Sequence, residues 1–194
     1  MEEWLRIHDF EPFSRANGPG VRAVIWVQGC SLNCPGCFNP ETHPFEGGEL
    51  LSTDELFQRI VALSDSIEGI SVSGGEPLQQ RRPLLALLQR VRRETSLSVL
   101  LFSGYTWEKI QQMPGADGLR ACVDVLIAGP YDPSQHLGRD LRGSADQTVH
   151  FFTDRYTMDD LQPVPPAEVI ITAEGEIIVS GIAPPKFEIM GDSS

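Results

Sequence analysis

Lysine is nearly missing from this 194-residue chain: among fifteen basic residues only Lys109 and Lys186 are lysine. Acidic residues outnumber basic ones 27 to 15, and the net charge of −12 argues against a non-specific nucleic-acid surface, which needs clustered positive charge. No apolar run approaches the ~20 residues of a membrane span, so no integral membrane protein is expected. The opening stretch MEEWLRIHDF lacks the basic and apolar segments of an export signal, which points to the cytoplasm. Cysteine is scarce too, with four residues in all. Without an export signal, these are better read as metal or redox ligands than as disulfides. The arginine bias is read as background composition rather than as an anion-binding device.

What remains is an alternating α/β pattern. VRAVIWVQG (21–29) is β-branched and almost continuously apolar, as a strand buried on both faces should be. STDELFQRIVALS reads as a helix, with Ser52 as N-cap and Glu55 completing a capping box. Its apolar face carries Leu56, Phe57, Ile60 and Val61. A strand GISVSGGEP (69–77), a helix RRPLLALLQRVRRET, a strand LSVLLFSGY (97–105), a short helix TWEKIQQM and a strand VDVLIAGPYD (123–132) continue the alternation. Such alternation implies a parallel sheet with right-handed crossovers. A complete (β/α)8 barrel usually takes ~250 residues, so the expected fold is a partial, open barrel of about five or six parallel strands. RGSADQTVHFFT gives one more strand, LQPVPPAE a Pro-rich connector, and EVIITAEGEIIVSGI a hairpin turning at Glu174-Gly175. The expected division is a barrel domain over 1–157, with connector, C-terminal β-hairpin extension and frayed tail over 158–194 packed on it.

Three of the four cysteines, Cys30, Cys34 and Cys37, stand together as C-x3-C-x2-C in QGCSLNCPGCFNPETH. A structural zinc site needs four ligands, usually from two separated knuckles; His43 could complete a set, but a second knuckle is missing. An ordinary ferredoxin-type cluster needs four cysteines. Cys122, at the start of the apolar strand CVDVLIAG, reads as a small core residue. A thiol-redox pair would need only two. A fourth option, beside these, is a [4Fe-4S] cluster held by three thiolates, with one iron left open to bind a small molecule.

SVSGGEP adds a second half to the site. Ser73, Gly74, Gly75 and Glu76 close a predicted strand, and residues without Cβ let a ligand reach backbone carbonyls that accept hydrogen bonds from an ammonium group. Glu76 adds a carboxylate, the stronger kind of acceptor. If the strands ending at Gly29 and Gly75 are neighbours, both motifs meet on the carboxyl-terminal face, where barrel active sites form.

The cysteine triplet and SVSGGEP together resemble the radical S-adenosylmethionine (SAM) superfamily. NGPGVRAVIWVQGCSLNCPGCFNPETH, FSGYTWEKI and VDVLIAGPYD…LRGSADQTVH are more specifically similar to the activating proteins of glycyl radical enzymes, above all those of anaerobic ribonucleotide reductase. The similarity runs from about residue 14 to 150. It implies one [4Fe-4S] cluster on Cys30, Cys34 and Cys37, with SAM chelating the open iron and its amino group held by Ser73, Gly74, Gly75 and Glu76. Reductive cleavage of SAM would give a 5′-deoxyadenosyl radical that removes a hydrogen atom from a glycine of the partner enzyme. Tyr105, Arg142, Gly143 and Ser144 become candidates for lining the SAM site, and Gly18, Pro19 and Gly20 for the substrate side. A flavodoxin or ferredoxin-type donor would supply the electron. One departure stands out: Ala128 occupies the place where the activating proteins commonly carry an acid at the end of the fourth strand. The competing readings are a radical SAM enzyme acting on a small metabolite or peptide, and a non-catalytic zinc or iron-sulfur module. His43 and His150 have no assigned partner.

Overall fold

The computed structural model describes residues 3–171, 175 and 177–183. In chain order the elements are β1 (Trp4–Ser14), β2 (Arg22–Val27), β3 (Glu49–Ser52), α1 (Thr53–Val61), β4 (Gly69–Gly74), α2 (Arg81–Glu94), β5 (Ser98–Ser103), α3 (Trp107–Gln111), α4 (Ala116–Cys122) and β6 (Val125–Ala128). They continue with β7 (His136–Arg139), β8 (Arg142–Ser144), β9 (Thr148–Phe151), α5 (Met158–Leu161), β10 (Ala167–Ile171) and β11 (Ile177–Gly181).

One seven-stranded sheet in the order β3-β1-β2-β4-β5-β6-β9 organises the chain. Only β2, β4, β5 and β6 run parallel to one another, so the expectation of five or six parallel strands overcounts. The flanking strands β1, β3 and β9 are antiparallel to their neighbours. The reason is the connection. The tight Gly18-Pro19-Gly20 turn reverses the chain between β1 and β2, and β6 is joined to β9 by a loop with a single 3-10 turn (Pro133–Gln135) and the β7–β8 hairpin. Neither link contains the helical crossover that a parallel pair requires.

Each parallel strand alternates between two buried faces. Ala23, Ile25, Val27, Ile70, Val72, Val99, Leu101 and Leu126 pack against the apolar sides of α1 and α2, which supply Leu56, Ile60, Leu84, Leu87, Leu88 and Val91. Each such side chain removed from water contributes roughly 1.5–3 kcal/mol before ordering entropy is subtracted. The capping box of α1 is present: Ser52 Oγ accepts the Glu55 N–H at 3.1 Å, and the Glu55 carboxylate accepts the Ser52 N–H at 2.9 Å. The opposite face carries Leu100, Val125 and Ile127, covered by Leu141, Tyr156 and Leu161.

Arg22 lies fully buried on that second face, at the amino-terminal edge of the parallel strands. Its guanidinium donates to Ser71 Oγ at 2.8 Å, Ser98 Oγ at 2.9 Å and the carbonyls of Ile70 at 2.6 Å and Pro19 at 3.3 Å. Burial pulls its pKa down, and the Tyr156 hydroxyl, which donates to Glu68, works against that. A buried charge survives only with such partners. Arg22 therefore ties the starts of β2, β4 and β5 together and leaves their other ends for the site.

β10 and β11 pair antiparallel from Ala167↔Gly181 to Ile171↔Ile177. The expected turn at Glu174-Gly175 and the expected frayed tail fall wholly or partly outside the described residues. Among the described residues no helix is long and apolar enough to cross a membrane.

Candidate active site

The cysteine loop leaves β2 at its carboxyl end and is held from both sides. Gly29 N–H donates to Thr42 O at 2.8 Å and Cys30 N–H to His43 O at 3.0 Å. Gln79 clamps the loop: its side-chain amide donates to Ser31 Oγ at 2.7 Å and accepts the Ser31 N–H at 3.2 Å. Asn33 (φ 49°) and Gly36 (φ 68°) take left-handed conformations that fold the loop back between the cysteines. Leu32 N–H points at Cys30 Sγ, 3.4 Å away. Burial raises the pKa of Cys30 and Cys37, N–H groups of Leu32 and Asn33 for the one and Asn39 for the other pull it back, and the neighbouring thiols raise it further.

Those features fit an iron-sulfur cluster. Backbone N–H groups aimed at sulfur are the kind of hydrogen bond that stabilises cluster thiolates and tunes them. Among the described residues no three His, Cys, Asp or Glu side chains converge as a single bound ion would require. A lone zinc would draw its sulfurs to ~2.3 Å from one point, whereas a cluster spreads them over separate irons. Cys122 is not available as a fourth ligand. It ends α4, not a strand start as the sequence implied, at the amino-terminal edge of the sheet and 4% exposed.

The second motif abuts the first. Val27 pairs with Gly74 in the parallel ladder, Gly75 N–H donates to Val27 O at 2.8 Å, and Glu76 N–H donates to Gly29 O at 2.9 Å. The glycines are required by this approach as much as by any ligand. Gly74 has φ 96°, and a Cβ there would sit 2.7 Å from Val27 N and 2.8 Å from Trp26 Cα. A Cβ on Gly75 would press into the carbonyl of Gly29. Glu76 is 1% exposed. Its carboxylate accepts from Leu78 N–H at 2.9 Å, Ser103 Oγ at 2.9 Å and Gly104 N–H at 2.7 Å, pinning the end of β5 to the end of β4. Burial outweighs these bonds and pushes its pKa up to about 7.

One cavity of about 300 Å³ joins the two motifs at the carboxyl ends of the parallel strands. Cys30, Cys34, Cys37, Ser73, Gly74, Gly75 and Glu76 all line it. Tyr105, Arg142 and Ser144 do not. Tyr105 accepts from Gln79 Nε2 at 3.0 Å and so braces the clamp on the cysteine loop. Ser144 is buried against Asp132 N–H, while Gly143 between it and Arg142 does reach the cavity. A Cβ on Gly143 would meet Phe38 at 2.7 Å, so this glycine lets the Phe38–Tyr131 ring pair, 4.5 Å between centroids, close over the site. Arg142 Nε is buried with no hydrogen-bond partner among the described residues. Gly18, Pro19 and Gly20 wrap Arg22 at the opposite edge of the sheet, and only their neighbour Asn17 lines the cavity. His43 lines the cavity, whereas His150 stacks on Trp107 at 4.8 Å. Gln79, Ser103 and Gln147 escaped the sequence reading. Gln147 spans the site's far wall, donating to Gly129 O at 2.9 Å and accepting from Gly143 N–H at 2.8 Å. Glutamines in turns carry no spacing signature, so only coordinates could find them.

Three thiols on one loop, facing a glycine-glycine-glutamate strand end across a shared cavity, define an iron-sulfur enzyme of radical SAM design. Residues 16–150 match the family model described as a 4Fe-4S single cluster domain. The anaerobic ribonucleoside-triphosphate reductase-activating protein of Vibrio cholerae is 34% identical over 157 residues, covering 77% of this chain and 99% of its own. The protein of the same name from Salmonella typhimurium is 34% identical over 160 residues, covering 75% and 98%. That of Enterobacteria phage T4 is 33% identical over 147 residues, covering 74% and 92%. The chain belongs to the 4Fe-4S single cluster domain family and, within it, groups with the anaerobic ribonucleoside-triphosphate reductase-activating proteins. Its cofactors are a [4Fe-4S] cluster and SAM.

Proposed function

We propose that this chain installs a glycyl radical in a partner enzyme of the anaerobic ribonucleotide reductase class. The observation that carries the reading is the shared cavity, in which Cys30, Cys34 and Cys37 face Gly74, Gly75 and Glu76. A [4Fe-4S] cluster held by Cys30, Cys34 and Cys37 would supply the one-electron chemistry for reductive cleavage of SAM, the source of the radical that abstracts hydrogen from the partner's glycine. The three thiolates hold the cluster, and Gln79 with Tyr105 fixes the loop that carries them. Carbonyls at the end of β4 accept the SAM ammonium, and Glu76 adds charge behind them. Ser73 completes this SAM-side wall. Arg142 remains a candidate partner for an anionic group because its buried Nε has no hydrogen-bond acceptor among the described residues. The Gly18-Pro19-Gly20 turn acts on the substrate side through Asn17. Phe38 and Tyr131 exclude water, which protects a reactive radical.

The electron comes from a flavodoxin or ferredoxin-type donor, since beyond the triplet the chain's remaining cysteine is the core residue Cys122. The sheet forms an open partial barrel as one domain ending near residue 157, with the β10–β11 hairpin packed on it, and the acidic chain acts in the cytoplasm. The test is anaerobic incubation of the reduced, cluster-loaded chain with SAM and an anaerobic ribonucleotide reductase. A glycyl radical signal by electron paramagnetic resonance is expected on the reductase. SAM cleavage with no such signal on the reductase would refute the activase reading.

A further inference from the structure

The C-terminal hairpin lies beyond the residues matched by the family model, yet it reaches the active-site cavity. Five consecutive residues, Ile178, Val179, Ser180, Gly181 and Ile182, line that cavity. Side chains of a strand alternate between two faces, so alternate side chains alone do not account for a run with no gaps, and the backbone of β11 borders the cavity as well. β11 pairs with β10 on one edge, and among the described residues its other edge has no backbone partner. The hairpin is fixed in this pose. Asn17 Nδ2 donates to Ser180 Oγ at 2.7 Å, Arg15 N–H donates to Glu168 at 2.9 Å, and Ser14 Oγ also donates to Glu168. Outward from the cavity the same strands end in the paired, exposed Ile171 (71%) and Ile177 (65%), an apolar step leading into the site.

From this arrangement we infer that the free edge of β11 binds the partner's glycine-bearing segment as an added extended strand, and that Ile171 and Ile177 receive its flanking apolar residues. The inference rests on the activase reading above. An unpaired strand edge is a ready template for an extended peptide, with main-chain hydrogen bonds holding it whatever its sequence. A glycine needs this kind of recognition because it has no side chain to grip. The edge opens into the cavity of Cys30, Cys34, Cys37 and Glu76, so a strand laid along it brings its α-carbon toward the reacting groups.

Two measurements test this on the cluster-loaded chain with SAM and an anaerobic ribonucleotide reductase. Adjacent residues of a strand point their N–H groups to opposite edges, so Ile178→Pro and Val179→Pro are compared. At least one should lower the ratio of glycyl radical formed to 5′-deoxyadenosine released by about tenfold, the effect of one or two lost main-chain hydrogen bonds. A photoreactive benzoylphenylalanine at Ile177 should cross-link to the reductase segment that carries the radical glycine. An unchanged ratio in both proline variants, a raised ratio, or a cross-link mapping elsewhere on the reductase would overturn the proposal. A wild-type chain that forms no radical on the reductase would instead sink the activase reading itself.

Discussion

Glu76 offers the sharpest quantitative test of the site. Its carboxyl group is 1% exposed and its pKa is pushed up to about 7 from an ordinary 4.5. A folded-state pKa raised this way means the native chain binds the proton more tightly than the unfolded chain. Its stabilising contribution is fully present below pH 4.5 and is lost as pH rises through about 7. The shift corresponds to about 3 kcal/mol, with no discount for solvent screening at so buried a group. In Glu76→Gln the side-chain oxygen keeps the bonds from Leu78 N–H and Ser103 Oγ, but its amide NH2 faces Gly104 N–H, donor against donor. That mismatch costs about 1–3 kcal/mol at every pH. The variant should therefore be less stable than wild type near pH 5 and comparable to it, or slightly more stable, near pH 8. Denaturant unfolding of the cluster-free chain between pH 5 and 8 measures the difference, in which histidine titrations common to both proteins cancel. A gap between variant and wild type that stays constant with pH would refute the assignment of a desolvated carboxyl at Glu76.

Other expectations follow from the same geometry. Cys34→Ala should abolish cluster assembly, read as loss of the brown absorption after anaerobic reconstitution; a fully coloured variant would remove it from the ligand set. Cys122→Ala should keep the cluster and lose about 1 kcal/mol of stability, the usual scale for trimming a small buried side chain. Loss of colour there would revive a four-cysteine cluster. Gly74→Ala combines a left-handed φ of 96° with a clash against the Trp26–Val27 backbone and should cost roughly 2–4 kcal/mol in thermal or denaturant unfolding. Gly118→Ala in α4 meets only side chains, Leu85 at 3.2 Å and Gln89 Nε2 at 3.7 Å, and should change stability by less than about 1 kcal/mol in the same assay.

The sequence reading located β2, β4, β5 and β6 because long apolar, β-branched runs between turn residues leave little choice. α1 was legible down to its capping box, since Ser52 and Glu55 are a local signal. Strand direction was not legible: β1 mixes Arg6, His8, Asp9 and Glu11 with its apolar residues and β9 is only half-buried, unlike the continuously buried parallel strands, but it is the connections that reverse them. α4 was missed because GADGLRAC is short, carries Gly118 inside it and runs straight into an apolar strand, which also misplaced Cys122. In the site, the cysteine triplet and Gly74-Gly75-Glu76 were visible because spacing and side-chain chemistry are both written in the sequence. Their reasons were only half visible. The glycines allow Val27 and Gly29 to approach, and Glu76 anchors Ser103 and Gly104, contacts that arise only when two strand ends meet. Tyr105, a candidate for lining the SAM site, braces Gln79 instead of facing the cavity.

The most direct test of the central claim is the yield of 5′-deoxyadenosine from the reconstituted chain after one-electron reduction in the presence of SAM. A [4Fe-4S] centre on Cys30, Cys34 and Cys37 with an open iron predicts 5′-deoxyadenosine and methionine in equal amounts from the wild type and none from Cys34→Ala. A cluster-loaded, reduced protein that leaves SAM intact would contradict the account.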